Sequence, residues 1–285
     1  MTPIEQVVER LLLLLESGRA GLFTDFDGTL SPLAATPEAA RIEPAAALAL
    51  RELATRIEIV GIVTGRAAGD AQERAGIPDL LYVGNHGLEW MHHGEHHAHP
   101  AGLAAEQVLA SALTEIEARL GSVATLDGVI FENKRLSGSV HYRLSEDPLT
   151  VGNALASIAA EVVEEFGLRL SGGKLVFELR PQALVNKGTA IEALIEQHQL
   201  DAALFFGDDV TDVDGFDALH RVAERTGKKV CAIGVLTADT APSIIESSDL
   251  LLDGVDGVVA TLESLNQQLR KIGRLPKAPL HREVS

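Results

Sequence analysis

Two groups of carboxylates in this chain have the spacing that acid–base and metal chemistry uses. In Asp25-Phe26-Asp27-Gly28-Thr29-Leu30 the aspartates stand two residues apart, so in an extended chain they point to the same side. Side by side they repel, which raises the pKa of one unless a cation intervenes. One can then attack as an ionised nucleophile while the other gives up a proton. Asp-x-Asp-Gly is also a turn sequence, but a turn has no need of the apolar run Ala20–Thr24 aimed into it. In Gly207-Asp208-Asp209-Val210-Thr211-Asp212 three carboxylates share one loop and the first turn of a helix. Left alone they would repel; as oxygen donors they suit a hard divalent cation such as Mg2+. Asp209 or Asp212 also fits the role of helix cap. Thr64 and Lys187 add a hydroxyl and a compact ammonium, which a transferring phosphoryl group needs around its equatorial oxygens. Taken alone, Lys187 reads better as an ordinary surface lysine.

The elements that carry these groups alternate. Helical periodicity covers Pro3 to Ser17, Pro44 to Arg56 and the segment opened by Lys187. Apolar strands read at Ala20–Thr24, Ile57–Val63, Leu80–Val83, Ala203–Phe206, Val230–Val235 and Asp249–Leu252. Continuous apolar strands between helices predict a doubly wound, Rossmann-like α/β sheet covered on both faces. In such sheets ligands bind beyond the carboxyl ends of the strands, where DFDG, TGR, GNHG and GDDVTD all fall. The middle differs: helices over Leu103–Leu120 and Pro148–Phe166 are interleaved with short strands at Val129–Glu132, Ser139–Arg143, Leu168–Leu170 and Lys174–Leu179. This predicts an inserted α+β module at 102–181 between two core segments, 1–101 and 182–285. The tail after Gly273 reads as loose.

With 24 Lys and Arg against 41 Asp and Glu, the net charge is −17 over 285 residues. That excludes nucleic acid and an anionic membrane as the main partner, because both bind through a surplus of basic residues. An anionic substrate is compatible provided the site builds a local positive field, since exposed charges are screened beyond ~8 Å. The lone Cys231 allows no intrachain disulfide and reads as a packed core thiol. Leu11–Leu15 is far short of the ~20 residues that span a bilayer. No basic segment and small-residue cleavage site mark a signal peptide, so a cytoplasmic protein is expected, and a monomer, with no heptad or unpartnered helix in view.

The four motifs, in this order, resemble those of the haloacid dehalogenase (HAD) superfamily of phosphotransferases, and the insert between the second and third resembles its large, C2-type cap. The resemblance implies that Asp25 takes up the phosphoryl group and that Asp27 serves as acid and base. It implies that Thr64 and Lys187 hold the phosphoryl oxygens. Asp25, the Asp27 carbonyl and Asp208 would ligate Mg2+, with Asp209 and Asp212 behind them.

Within the insert, Glu132-Asn133-Lys134, His141-Tyr142-Arg143, Gly173-Lys174 and Glu178-Leu179-Arg180-Pro181 read either as a solvated sheet face or as donors and acceptors matched to sugar hydroxyls and a phosphate. Together with VTGR and GNHGLEW they resemble, in order, the motifs of trehalose-6-phosphate phosphatases. That resemblance implies a small-molecule sugar phosphate, trehalose 6-phosphate, as substrate. It assigns Glu132, Lys134, Lys174 and Glu178 to gripping the disaccharide, with Asn133 and Arg143 assisting. Gly65, Arg66, His86 and Gly87 would face it from the core. A related phosphatase for another sugar phosphate, such as sucrose phosphate, is the neighbouring alternative. A phospho-accepting receiver domain and a catalytically dead relative fit the motifs less well. The cluster His92, His93, His96, His97 and His99 is either a transition-metal site or a hairpin tip.

Overall fold

The computed structural model describes residues 2–16 and 18–273. The chain opens with α1 (Pro3–Glu16), β1 (Ala20–Thr24), α2 (Pro44–Ala54), β2 (Ile59–Val63), α3 (Ala68–Ala75), β3 (Leu81–Gly84), β4 (Glu89–His92) and β5 (Glu95–Ala98). A second group follows: α4 (Pro100–Val123), β6 (Ile130–Asn133), β7 (Gly138–His141), α5 (Pro148–Glu165), β8 (Leu168–Gly173) and β9 (Val176–Pro181). The chain then returns with α6 (Lys187–Gln197), β10 (Ala202–Gly207), α7 (Val210–Thr226), β11 (Lys229–Leu236), α8 (Pro242–Ser247), β12 (Leu250–Asp253) and α9 (Gly254–Lys271).

The first and last groups build an eight-stranded sheet in the order β12-β11-β10-β1-β2-β3-β4-β5. Its six strands from β12 to β3 run parallel. Strands β1, β2 and β10 are buried along their whole length, which is why they read as unbroken apolar runs. Their side chains alternate between two cores. Leu22, Val60 and Phe206 pack with Leu11, Leu50 and Leu265 of α1, α2 and α9. Phe23, Ile59 and Phe205 pack with Ile191, Phe216 and Leu219 of α6 and α7. The winding reverses between β1 and β10, so a crevice opens at their carboxyl ends.

The edge departs from the expected all-parallel sheet. The His-rich segment forms the antiparallel hairpin β4–β5 beside β3, with His93 at φ 50° in its turn. Helix α3 was not visible in the sequence pattern, and α4 starts earlier and ends later than expected. Lys174 lies in the turn between β8 and β9 rather than within a strand. The tail after Gly273, expected to be loose, lies outside the described residues.

The middle group folds as a four-stranded antiparallel sheet, β6-β7-β9-β8. One face packs on α4 and α5 through a core of its own that includes Ile116, Val140, Leu155 and Leu179. Period-two alternation sends Glu132, Ser139, His141, Ser171 and Glu178 to the other face, toward the crevice of the large sheet.

Candidate active site

The crevice is a pocket walled by the ends of the parallel strands on one side and the polar face of the small sheet on the other. Asp25 follows β1, and its backbone N–H donates to the Phe206 carbonyl at 2.8 Å, so the nucleophile candidate is fixed by the sheet itself. Lys187 begins α6 and is 2% exposed; its ammonium lies 2.9 Å from Asp25 Oδ1 and 2.6 Å from Asp212 Oδ1. The other Asp212 oxygen accepts the backbone N–H groups of Asp208 and Asp209, each at 3.0 Å. Asp212 therefore closes the first turn of α7 while pairing with Lys187. Gly28, at φ +80°, faces Asp208 so closely that a β-carbon there would sit 2.2 Å from its carboxylate. Only glycine gives this turn both its backbone angle and its room.

Asp25, Asp208 and Asp212 are buried and each can place a carboxylate oxygen within 4.8 Å of the others. Burial pushes Asp25 up to about 7, against the pull of Lys187 and with added repulsion from Asp212 and Asp27. Burial likewise raises Asp208 to about 7, helped by Asp25 and opposed by Lys174. Asp212 rises to about 6, through burial that outweighs Lys187. Burial alone would lower the Lys187 ammonium, yet Asp212 and Asp25 hold it above the ordinary range. Three buried oxygen donors that resist ionisation together are a fitting set for a hard divalent cation, which would relieve their repulsion.

Asp27 takes a different partner. Arg66 grips it with both arms, Nε to Oδ2 at 2.6 Å and Nη2 to Oδ1 at 2.7 Å. Arg66 also reaches Asp70 at 2.9 Å and the Pro37 carbonyl at 3.1 Å. The side chain expected to face a substrate is thus occupied in holding Asp27. Thr64 is 1% exposed beside Asp25 in the pocket wall, and its hydroxyl accepts the Arg66 backbone N–H.

The small sheet meets the large one through ions. Lys134 donates to the Gly65 carbonyl and to Glu178 Oε1, each at 3.0 Å. His86 Nε2 lies 2.6 Å from Glu178 Oε2. Burial lowers the pKa of His86, against the pull of Glu178. Burial would raise Glu178, but His86 and Lys134 hold it well below the ordinary range. Glu132 pairs with His141 at 3.0 Å. The Arg143 guanidinium donates to the Lys174 carbonyl, and the Lys174 ammonium reaches Asp208 Oδ2 and Thr237 Oγ1, both at 3.1 Å. Lys134, Arg143, Lys174, Lys187 and Arg66 line the pocket beside six carboxylates, so an anionic substrate would be met by individual ammonium and guanidinium groups rather than by a net positive field.

Asn133 and Gly87 do not line the pocket. Asn133 is exposed and its side chain accepts the Arg135 N–H, while Gly87 lies against the carbonyl of Asn186. Sequence reasoning missed Ser139, His141 and Ser171, although strand alternation puts His141 on the same face as Arg143. It also missed Thr237, which accepts from Lys174, and residues 33–37 in the pocket wall, for which loop sequence offers no periodic signal.

A sequence profile for trehalose-phosphatase matches residues 23–247. The chain belongs to the trehalose-phosphatase family. The match spans every motif from Asp25 to Asp212. A trehalose-phosphate phosphatase of Mycobacterium marinum is 37% identical over 207 residues, covering 70% of this chain and 52% of the relative. An uncharacterized glycosyl hydrolase of Mycobacterium tuberculosis is 36% identical over 223 residues, 75% of this chain and 16% of the relative. The chain thus spans about half the length of the first relative and a smaller share of the second. Among solved structures, the C-terminal domain of Candida albicans trehalose-6-phosphate phosphatase superposes with a TM-score of 0.73 at 22% identity, over 91% of this chain and 97% of that one. A trehalose-6-phosphate phosphatase related protein gives 0.72 at 22% identity, over 88% and 99%. These likenesses establish a shared mixed α/β fold. Among the described residues no helix is long and apolar enough to cross a membrane.

Proposed function

We propose that this trehalose-phosphatase family member is a Mg2+-dependent phosphatase that converts trehalose 6-phosphate to trehalose and phosphate, with a HAD-type core and residues 102–181 as its cap. The observation that carries the reading is the buried Asp25–Lys187–Asp212 line beside Asp208, roofed by a polar sheet face bearing Glu132, Lys134 and Glu178. The 37% identical trehalose-phosphate phosphatase supports the choice of substrate.

In this mechanism an Asp25 oxygen attacks phosphorus as the bond to the sugar oxygen breaks, and Asp27, protonated and turned out of the Arg66 fork, delivers its proton to that leaving oxygen. Water then attacks the phosphorus of the aspartyl-phosphate, Asp27 takes its proton, and Asp25 is regenerated. Lys187 and the Thr64 hydroxyl hold the phosphoryl oxygens. Asp25, Asp208 and the Asp27 backbone carbonyl would hold Mg2+, which when bound neutralises charge on the transferring group. Asp209 and Asp212 stand behind them, Asp212 by orienting Lys187 and the Asp208 backbone. Glu132, Lys134, Arg143, Lys174, Glu178 and His86 bind the sugar phosphate from cap and core, and the cap excludes water while the phosphoryl group is in transit. The protein acts as a cytoplasmic monomer on a small molecule.

The test is phosphate release from trehalose 6-phosphate, sucrose 6-phosphate and glucose 6-phosphate, with Mg2+ and with chelator. Activity on the first alone, lost with chelator and reduced by about 10³-fold or more in Asp25→Asn, is expected. Asp25→Asn turnover equal to the parent's rejects the covalent step, and preference for another sugar phosphate rejects the substrate.

A further inference from the structure

Asn85, Glu89 and His96 have no role in the chemistry above, yet their side chains form a polar cluster at the junction of core and cap. Glu89 is 6% exposed and Asn85 is fully buried. One Glu89 oxygen accepts the Ala68 backbone N–H, at the start of α3, at 2.8 Å and the Asn85 amide nitrogen at 2.7 Å. The other lies 2.6 Å from His96 Nε2 on the neighbouring strand of the hairpin. The Asn85 amide then bridges to the cap: its oxygen accepts the buried Ser137 hydroxyl at 2.6 Å, and its nitrogen faces the Lys134 carbonyl at 3.4 Å. Lys134 and Ser137 belong to one turn, closed by the Lys134 N–H donating to the Ser137 carbonyl at 3.0 Å.

An asparagine amide has one accepting and one donating end, and nothing in its shape chooses between them. Here Glu89, which as a carboxylate can only accept, makes the choice through the shorter bond at 2.7 Å, and the Lys134 carbonyl, also an acceptor, takes the same side at 3.4 Å. Glu89 draws the amide nitrogen toward itself and leaves the oxygen for Ser137. We propose that Glu89 is a positioning residue that, through the orientation of Asn85, fixes the cap turn bearing Lys134 over the site. His96 anchors the second carboxylate oxygen, which gives one member of the histidine cluster a structural task. The inference rests on the proposed function in taking Lys134 to contact a sugar substrate.

Glu89→Leu keeps most of the volume but offers no acceptor, so the amide of Asn85 loses the partner that imposes its sense. Ser137→Ala removes the cap side of the junction and leaves the buried carboxylate alone. For either variant, KM for trehalose 6-phosphate is expected to rise about tenfold with kcat within about threefold, while kcat/KM for p-nitrophenyl phosphate stays within about twofold. Amide hydrogen exchange in residues 134–137 is expected to accelerate about tenfold or more, with β10 unchanged. Equal loss on both substrates, an unchanged KM or unchanged exchange in that turn overturns the proposal. Should Glu89→Leu fail to fold, Ser137→Ala decides alone. The exchange measurement uses no substrate, so a parent protein that ignores trehalose 6-phosphate sinks the functional reading while exchange still judges the junction.

Discussion

Lys187 shows how one side chain can carry both stability and chemistry. Sequence could not separate it from a surface lysine, since nothing local marks a residue whose partners lie far along the chain. In the fold it is buried between Asp25 and Asp212. Lys187→Met would leave two buried carboxylates facing each other beside a third. Removing one partner of a buried ion pair typically costs about 3–5 kcal/mol, and turnover should fall by about 10³-fold as well. Urea unfolding and phosphate release check the two effects separately. A variant with parental stability would show that the aspartates do not depend on this ammonium.

Among the elements, α3 and the loop before it decide what Arg66 does. The sequence Ala68-Gly-Asp-Ala-Gln-Glu-Arg-Ala carries too few large apolar residues to show a helical stripe, so only the resemblance of its motif gave Arg66 a role, facing the substrate. The helix brings Asp70 back to Arg66, and the guanidinium then clamps both oxygens of Asp27. Arg66→Lys keeps the charge but loses the fork that matches a carboxylate. It should lower kcat by about tenfold or more while KM for the sugar phosphate moves less than about threefold. A rise in KM with kcat intact would return Arg66 to the substrate. The strand-end motifs were legible because buried parallel strands announce themselves as apolar runs ending in polar residues. The hairpin β4–β5 was legible only as one of two readings of the histidine cluster, because the exposed strand β5 carries no alternation of apolar and polar residues. Asn133 stood in a motif with two pocket residues, yet strand alternation turns it away from them. The tie between Lys174 and Asp208 was hidden for another reason: it joins a turn of the small sheet to the large one.

At the scale of the molecule, the acidic centre makes the cation-free protein oppose its own fold. Asp25, Asp208 and Asp212 have folded values near 7, 7 and 6 against an ordinary 3.8. Between those limits the folded state holds protons that the unfolded chain has released, so stability falls as pH rises through the window. His86, lowered by burial, works in the opposite sense near its ordinary 6.5, one group against three. The lowered carboxylates Glu132 and Glu178 titrate from 4.5 downward and change little above pH 5.5. With chelator present, Tm should therefore be lower at pH 8 than at pH 5.5. A divalent cation competes with the same protons, so it binds best where the carboxylates are ionised. Magnesium at millimolar concentration should raise Tm by about 4 °C or more at pH 8 and by less than half that at pH 5.5. An equal gain at both values would place the cation somewhere other than at Asp25 and Asp208, and Asp208→Asn, which should abolish the gain at pH 8, identifies the ligand that matters.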